Sequence, residues 1–183
     1  MIQIYSEEIE KILENKEKLE KELKVKIENQ EKDILIEGPA DKEFIAEKVI
    51  DAINFGFPIK HALLIDKGEL IFEKINIKEH ARTTNIQRVK GRIIGKQGKT
   101  IKTLSILTDC FFEIKDNEIG IIGAPERLKT TQQALISLIK GSKQANVYSF
   151  LEKHQPQSIF DFGLKEIKKS HKHSMSGKIY KET

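Results

Sequence analysis

Residues 91–102 read Gly91-Arg92-Ile93-Ile94-Gly95-Lys96-Gln97-Gly98-Lys99-Thr100-Ile101-Lys102. The glycines at 95 and 98 interrupt two stretches of helical spacing. Upstream, Ile86, Val89 and Ile93 share one face of a helix expected over Thr84–Ile94. Downstream, Ile101, Leu104 and Leu107 do the same over Thr100–Thr108. A chain turning sharply between two helices needs backbone angles that glycine adopts at little cost. Glycines also let a sugar–phosphate backbone approach closely, where amide N–H groups and the next helix N-terminus face it. Lys96 and Lys99 add positive charge at that place. Of Ile93 and Ile94, one turns to the core and one floors a groove, for which Ile94 is the candidate.

Outward from this loop the pattern changes period. Leu70–Ile77 alternates apolar and polar residues, as a strand does. Phe111–Lys115 is a second strand, Asp116-Asn117 a turn, and Glu118–Ile122 the returning strand. Gly123-Ala124-Pro125 ends it, with Pro125 suited to a helix start, and Leu128–Ile139 is an amphipathic helix stopping before Gly141. The order is strand, helix, tight glycine loop, helix, strand, strand, helix. A further helix is expected over Asn146–Lys153, and a tail of low order over 155–183.

A shift of 85 positions lays the first half on the second. Leu19 meets Leu104, Ile34 and Ile36 meet Ile119 and Ile121, and Ile50 and Ile53 meet Leu135 and Leu138. Gly38 meets Gly123, and Gly56 meets Gly141. The first half therefore reads as Ile2–Tyr5 strand, Glu7–Leu23 as one helix or a helix pair, Val25–Ile27 and Ile34–Glu37 strands, and Lys42–Ile53 helix. At the glycine loop the halves differ. Glu10 and Leu13 stand opposite Gly95 and Gly98, and Lys11 and Ile12 opposite Lys96 and Gln97, with Glu7, Glu8, Glu14 and Glu17 around them. Such a segment repels a polyanion.

The order of elements around Gly91–Lys102 resembles a type I KH domain, an RNA-binding module whose loop clamps about four nucleotides of single strand. The resemblance implies RNA contact by Arg88, Gly91, Arg92, Ile94, Gly95, Lys96, Gln97, Gly98, Lys99, Thr100 and Lys102. Over about residues 1–153 the chain is similar to the archaeal relatives of the partner-of-NOB-one ribosome-assembly factors. The matching stretches are Gly91–Lys102, Leu107-Thr108, Ile121–Gly123 and Val147–Leu151. That family pairs a KH-like with a true KH domain, binds the 3′ region of small-subunit ribosomal RNA and works beside a PIN-domain endonuclease. One departure is the hairpin turn, commonly Gly-Lys-Thr in the family and Asp116-Asn117-Glu118 here.

Charge and composition agree. Residues 1–56 carry 9 lysines and 15 acids, whereas 77–142 carry 12 basic and 6 acidic residues. Between 82 and 102 seven basic residues (Arg82, Arg88, Lys90, Arg92, Lys96, Lys99, Lys102) meet no acid. Only the second half is built to meet a polyanion. Twenty-nine isoleucines supply a core, and no apolar run approaches the ~18 residues of a membrane span. The lone Cys110 allows no internal disulfide, and the five histidines form no metal set, so neither metal nor cofactor is expected. No nucleophile–base arrangement is visible, and the chain reads as a non-enzyme of the cytoplasm. Phe111 or Phe112 could stack on a base, the other facing the core.

The expectation is an α+β protein of two tandem type I KH-like units. The divisions are a degenerate unit at 1–56, a linker at 57–69, a KH domain at 70–142, a helix at 143–154 and the tail. The resemblance implies an assembly factor on small-subunit ribosomal RNA near its 3′ end, partnered by a PIN-domain endonuclease or a ribosomal protein. The rivals are a general KH regulator of RNA, a piece of an RNA-degrading assembly, and a protein scaffold using the acidic first unit. The missing S1-like all-β segment speaks against the second rival, and the intact glycine loop against the third.

Overall fold

The computed structural model describes residues 1–154; the tail expected at 155–183 lies outside the described residues. The first half runs β1 (Ile2–Tyr5), α1 (Ile9–Glu14), α2 (Lys16–Leu23), β2 (Lys26–Gln30), β3 (Asp33–Glu37) and α3 (Ala40–Phe55). A short helix α4 (Ile59–Ala62) and a 3-10 turn at Leu63–Ile65 lead on. The second half runs β4 (Ile71–Asn76), α5 (Ile77–His80), α6 (Ile86–Ile94), a 3-10 turn at Lys96–Gly98, α7 (Lys99–Thr108), β5 (Phe111–Lys115), β6 (Glu118–Gly123) and α8 (Pro125–Ile139). Helix α9 (Gln144–Lys153) follows. Each half has a three-stranded antiparallel sheet, ordered β1-β3-β2 and β4-β6-β5. The architecture is α+β.

The 85-residue repeat is visible in the backbone itself. Left-handed residues recur in pairs at that spacing: Lys24 and Asp109, Glu31 and Asp116, Gly56 and Gly141. The hairpins share one register, Ile27 opposite Ile36 and Phe112 opposite Ile121. The first strands do not follow it. Ile2 faces Ile36 whereas Glu73 faces Ile121, so the two strands stand 71 apart and the first half is 14 residues shorter before its hairpin. The alignment of Glu10 and Leu13 with the glycines is corrected accordingly. Residues 10–13 lie within α1, Ile12 is fully buried, and the helix break falls at Asn15 with φ −113°. Glu7–Leu23 is thus a helix pair without a glycine-type loop.

Alternation along the second sheet gives it two buried faces. Ile75, Ile119 and Ile121 join Val89, Ile93, Leu104 and Leu135 in one core under α6, α7 and α8. On the other face Ile122, Phe72 and Phe111 join the core of the first half, with Val49, Ile53 and Phe57. Gly120 makes this possible: a Cβ there would stand 2.6 Å from a ring carbon of Phe55 and 2.7 Å from one of Phe57. Phe72 packs edge-on against both rings, at 5.7 Å between centroids. Of the 57–69 segment, expected as a linker, residues 57–65 are part of this core, since Phe57, Ile59, Ala62 and Ile65 are all buried. Complete burial of a large apolar side chain contributes about 1.5–3 kcal/mol, so the segment is a structural element in its own right.

Polar contacts close the seam between the halves. Lys115 Nζ donates to Glu7 Oε2 at 2.6 Å and to the Asn54 carbonyl at 2.9 Å. That hydrogen bond and the lysine's charge hold the Glu7 carboxyl below its ordinary range. His61 stacks on Phe111 at 4.0 Å, and burial pushes its imidazole pKa down. Phe111 and Phe112, of which one was expected to face the core, both pack against protein. Phe111 faces the first half, while Phe112 lies on the helix-covered face, half-buried with Ile114.

Candidate nucleic-acid interface

The glycine loop is held by local sterics. The Asn85 side chain caps α6, its Oδ1 accepting from the Arg88 amide at 3.0 Å. The helix runs to Ile94 and ends where Gly95 takes φ 74°, ψ 171°. Gln97 (φ 54°) and Gly98 (φ 71°) are left-handed, and α7 starts at Lys99. Gly95 is required twice over, because a Cβ there would lie 2.0 Å from Thr100 Oγ1 as well as being strained at positive φ. At Gly98 the space is open, and only the backbone angle asks for glycine.

The turn sets Lys96, Gln97 and Lys99 in solvent ahead of the α7 N-terminus, whose dipole and first-turn amides favour an anion. Lys102 is exposed one turn further along, and Ile94 is 40% exposed beside the loop, as a groove floor requires. Gly91 is exposed on the outer side of α6 with nothing near its missing Cβ, and its carbonyl accepts from the Gly95 amide at 2.8 Å. These six expected residues lie around Gly95 and Gly98 on the end of α6, the loop and the start of α7.

Three others stand differently. Thr100 is buried, and its hydroxyl accepts from Gln144 Nε2 at 2.8 Å. The same amide nitrogen reaches the Arg92 carbonyl at 3.3 Å, so one side chain of α9 ties together both helices flanking the loop. Gln144 is the residue beside the loop that sequence reading missed; its only signal was a position just ahead of the expected last helix. Arg88 and Arg92 lie on a different flank of α6 from Ile94. At about 100° per residue, Ile94 stands about 160° around the axis from Arg92 and about 120° from Arg88. Arg92 Nη2 donates to the Ser142 carbonyl at 2.5 Å, next to Gly141 at the end of α8.

Replacing Gln144 by alanine is expected to weaken binding of a short single-stranded RNA about fivefold. The reason is a loss of about 1 kcal/mol of hydrogen bonding that orders the loop. The melting temperature should fall by no more than about 2–4 °C. An affinity unchanged within experimental scatter would mean that α9 does not position the loop.

Cys110 is buried, and burial pushes its thiol pKa up, which suits a packed side chain and not a nucleophile. Among the described residues no group of histidine, cysteine and carboxylate side chains is placed to hold a metal.

A strand–helix–GxxG–helix–strand–strand–helix unit with this loop and a basic face defines a KH domain, a single-strand RNA-binding module. The family model for the eukaryotic-type (type I) KH domain, specifically the second KH domain of PNO1, matches residues 71–156. The chain is 33% identical over 148 residues, or 76% of its length, to a KH domain-containing protein of Methanocaldococcus jannaschii. It is 31% identical over 105 residues, or 56% of its length, to the pre-rRNA-processing protein PNO1 of Candida albicans. It spans 65% of the first relative and 38% of the second, less than two thirds of either. Its fold is shared with the Dim2p chain in a complex with a/eIF2alpha and rRNA from Pyrococcus horikoshii, at TM-score 0.74 and 23% identity, covering 83% of this chain and 92% of that one. Over residues 71–156 the chain is similar to the second KH domain of PNO1 proteins.

Proposed function

We propose that the chain is an RNA-binding assembly factor of the small ribosomal subunit. Its second half, a KH domain over 70–142, takes single-stranded ribosomal RNA near the 3′ end on the Gly95–Gly98 loop and assists maturation of that end. The observation that carries this reading is the loop itself: two positive-φ glycines, exposed Lys96 and Lys99, and an abutting helix N-terminus. The relative named for pre-rRNA processing and the fold neighbour crystallised with rRNA point to the same substrate.

The first half is read as a KH-like unit that lost its loop. Its hairpin and closing helix repeat those of the second, while α1 passes into α2 at Asn15 without a glycine loop. It carries 15 acids against 9 lysines, so it offers a surface for a basic partner such as a ribosomal protein or a PIN-domain nuclease. A single KH loop reads about four nucleotides, so a partner that tethers the complex would supply the remaining selectivity by effective concentration.

Crosslinking in cells, followed by sequencing of attached RNA and mapping of ribosomal 3′ ends after depletion, tests the proposal. The expected result is crosslinks close to the small-subunit 3′ end and accumulation of unprocessed ends. Crosslinks scattered over messenger RNA with normal ribosomal ends would favour the general RNA regulator instead.

A further inference from the structure

A pocket of about 190 Å³ opens on the flank of α6 turned away from Ile94. Its lining includes Arg82, Arg88, Arg92 and Lys140, with Ile139 and Gly141 behind them. The two arginines of α6 are one turn apart and so project side by side. Arg82 comes from the segment between α5 and α6, and Lys140 from the end of α8. Four cations converge and no carboxylate lines the cavity. Among the described residues no ion pair includes any of the four.

The end of α8 explains one of these charges. Arg92 reaches the Ser142 carbonyl, and cations beside a helix C-terminus are favourable. Arg82 and Arg88 have no such acceptor in any described hydrogen bond, and packing four cations around one cavity costs free energy unless an anion neutralises them. Guanidinium forks match phosphate oxygens in pairs, which favours phosphate as the anion. The pocket also touches the glycine loop through the chain: Arg92 is three residues before Gly95, about 4.5 Å of helix rise. Arg88 is seven residues before it, about 10 Å. A strand leaving the loop reaches these arginines by passing around the end of α6, a helix about 10–12 Å across.

We propose that this pocket is a second phosphate site, holding a backbone phosphate of the RNA strand where it continues beyond the nucleotides clamped at Gly95–Gly98. The proposal rests on the RNA-binding reading of that loop and extends the footprint around the end of α6. The loop then supplies a short register and the arginine pocket a backbone anchor outside it. Contacts to phosphate position a strand without reading its bases, so the anchor adds affinity and direction but no sequence preference.

The test compares oligouridylates of four and eight nucleotides on the wild-type chain and on the double variant Arg82→Gln/Arg88→Gln. Both side chains are exposed, so the variant is expected to melt as the wild type does. Affinity for the eight-mer should fall about tenfold and affinity for the four-mer less than about twofold. The slope of log K against log salt on the eight-mer should become shallower by about 0.7–1.4, from one to two phosphates at about 0.7 each. Arg82→Lys/Arg88→Lys, which keeps the charges and loses the forks, should recover part of the loss. An eight-mer affinity and salt slope unmoved by the glutamine pair would overturn the second site, as would equal losses for the two lengths. Competition by oligoglutamate against a labelled eight-mer, lost in the glutamine variant with eight-mer affinity unchanged, would assign the pocket to an acidic protein segment and also overturn it. If the wild-type chain bound neither oligonucleotide, the loop reading beneath the proposal would fall with it.

Discussion

Replacing Lys96 and Gln97 together by aspartate is expected to weaken binding of a short single-stranded RNA by at least about a hundredfold, with the fold intact. The change removes one cation and places two carboxylates where phosphates meet the α7 N-terminus. A hundredfold corresponds to about 2.7 kcal/mol, or roughly 1.4 kcal/mol for each aspartate. Stability should hold because both side chains are exposed. The left-handed backbone at Gln97 (φ 54°) is also one that aspartate tolerates better than most residues do. The control is Lys18→Asp/Lys21→Asp on α2, the first-half counterpart of α7, where both lysines are exposed and affinity should stay within about twofold. Lys11 and Ile12, opposite Lys96 and Gln97 by sequence, are unsuitable as a control: Ile12 is fully buried and Lys11 donates to the Phe57 carbonyl at 3.2 Å. Titration of a labelled oligonucleotide with thermal melts of both variants decides the matter. Equal losses from the two halves would make the first half an RNA surface after all.

The second large effect concerns stability. Gly120→Val puts a branched side chain into the space of Phe55 and Phe57, whose ring atoms stand 2.6–2.7 Å from the position of a Cβ. Both rings belong to a seam that also holds Phe72 and Ile122, so neither can withdraw without opening the contact between the halves. Overpacking of this kind costs about 3 kcal/mol. At about 2–4 °C per kcal/mol for a chain of this size, the melting temperature should fall by roughly 6–12 °C. The Gly95–Gly98 loop lies on the opposite, helix-covered side of the sheet, so RNA affinity measured well below the transition should change little. A shift below about 2 °C would mean that the halves are not held together through this seam.

These two glycine-dependent features differ in how far the sequence discloses them. The loop at 95–98 is legible because its cause is local. Backbone sterics at positive φ select glycine, and helical spacing on either side locates the turn. The hairpin and closing helix of each half were legible for the same reason, and their repeat at 85 was exact enough to carry the left-handed turns with it. The repeat failed upstream of α2, where 14 fewer residues in the first half shift the register. An ungapped comparison has no means of sensing that deletion among evenly spaced isoleucines. It therefore set a helical segment opposite a loop.

The sequence shows the glycines and lysines of the expected site as one cluster but not the different flank on which its arginines stand. Arg88, Arg92 and Lys96 lie within one basic run in the chain, yet helix rotation turns the arginines onto another flank, where α8 brings Lys140 to meet them. Gln144 and Thr100 are 44 positions apart, and neither residue type carries a signal that they meet behind the loop.

The sequence by itself determined the loop, the polarity difference between the halves and the α+β order of elements. Each of these follows from residue type and spacing over a few turns of chain. Tertiary structure alone decided that the second sheet is buried on both faces, that 57–65 is core and not linker, and that Phe111 stacks on His61 while Phe112 stays with the helices. Strand alternation tells which residues share a face but not what covers that face. Gly120 reads as a plain strand interruption until Phe55 and Phe57, more than sixty residues earlier in the chain, are folded against it. Contacts between distant segments are fixed by shape and burial across the whole molecule, and no window of sequence contains them.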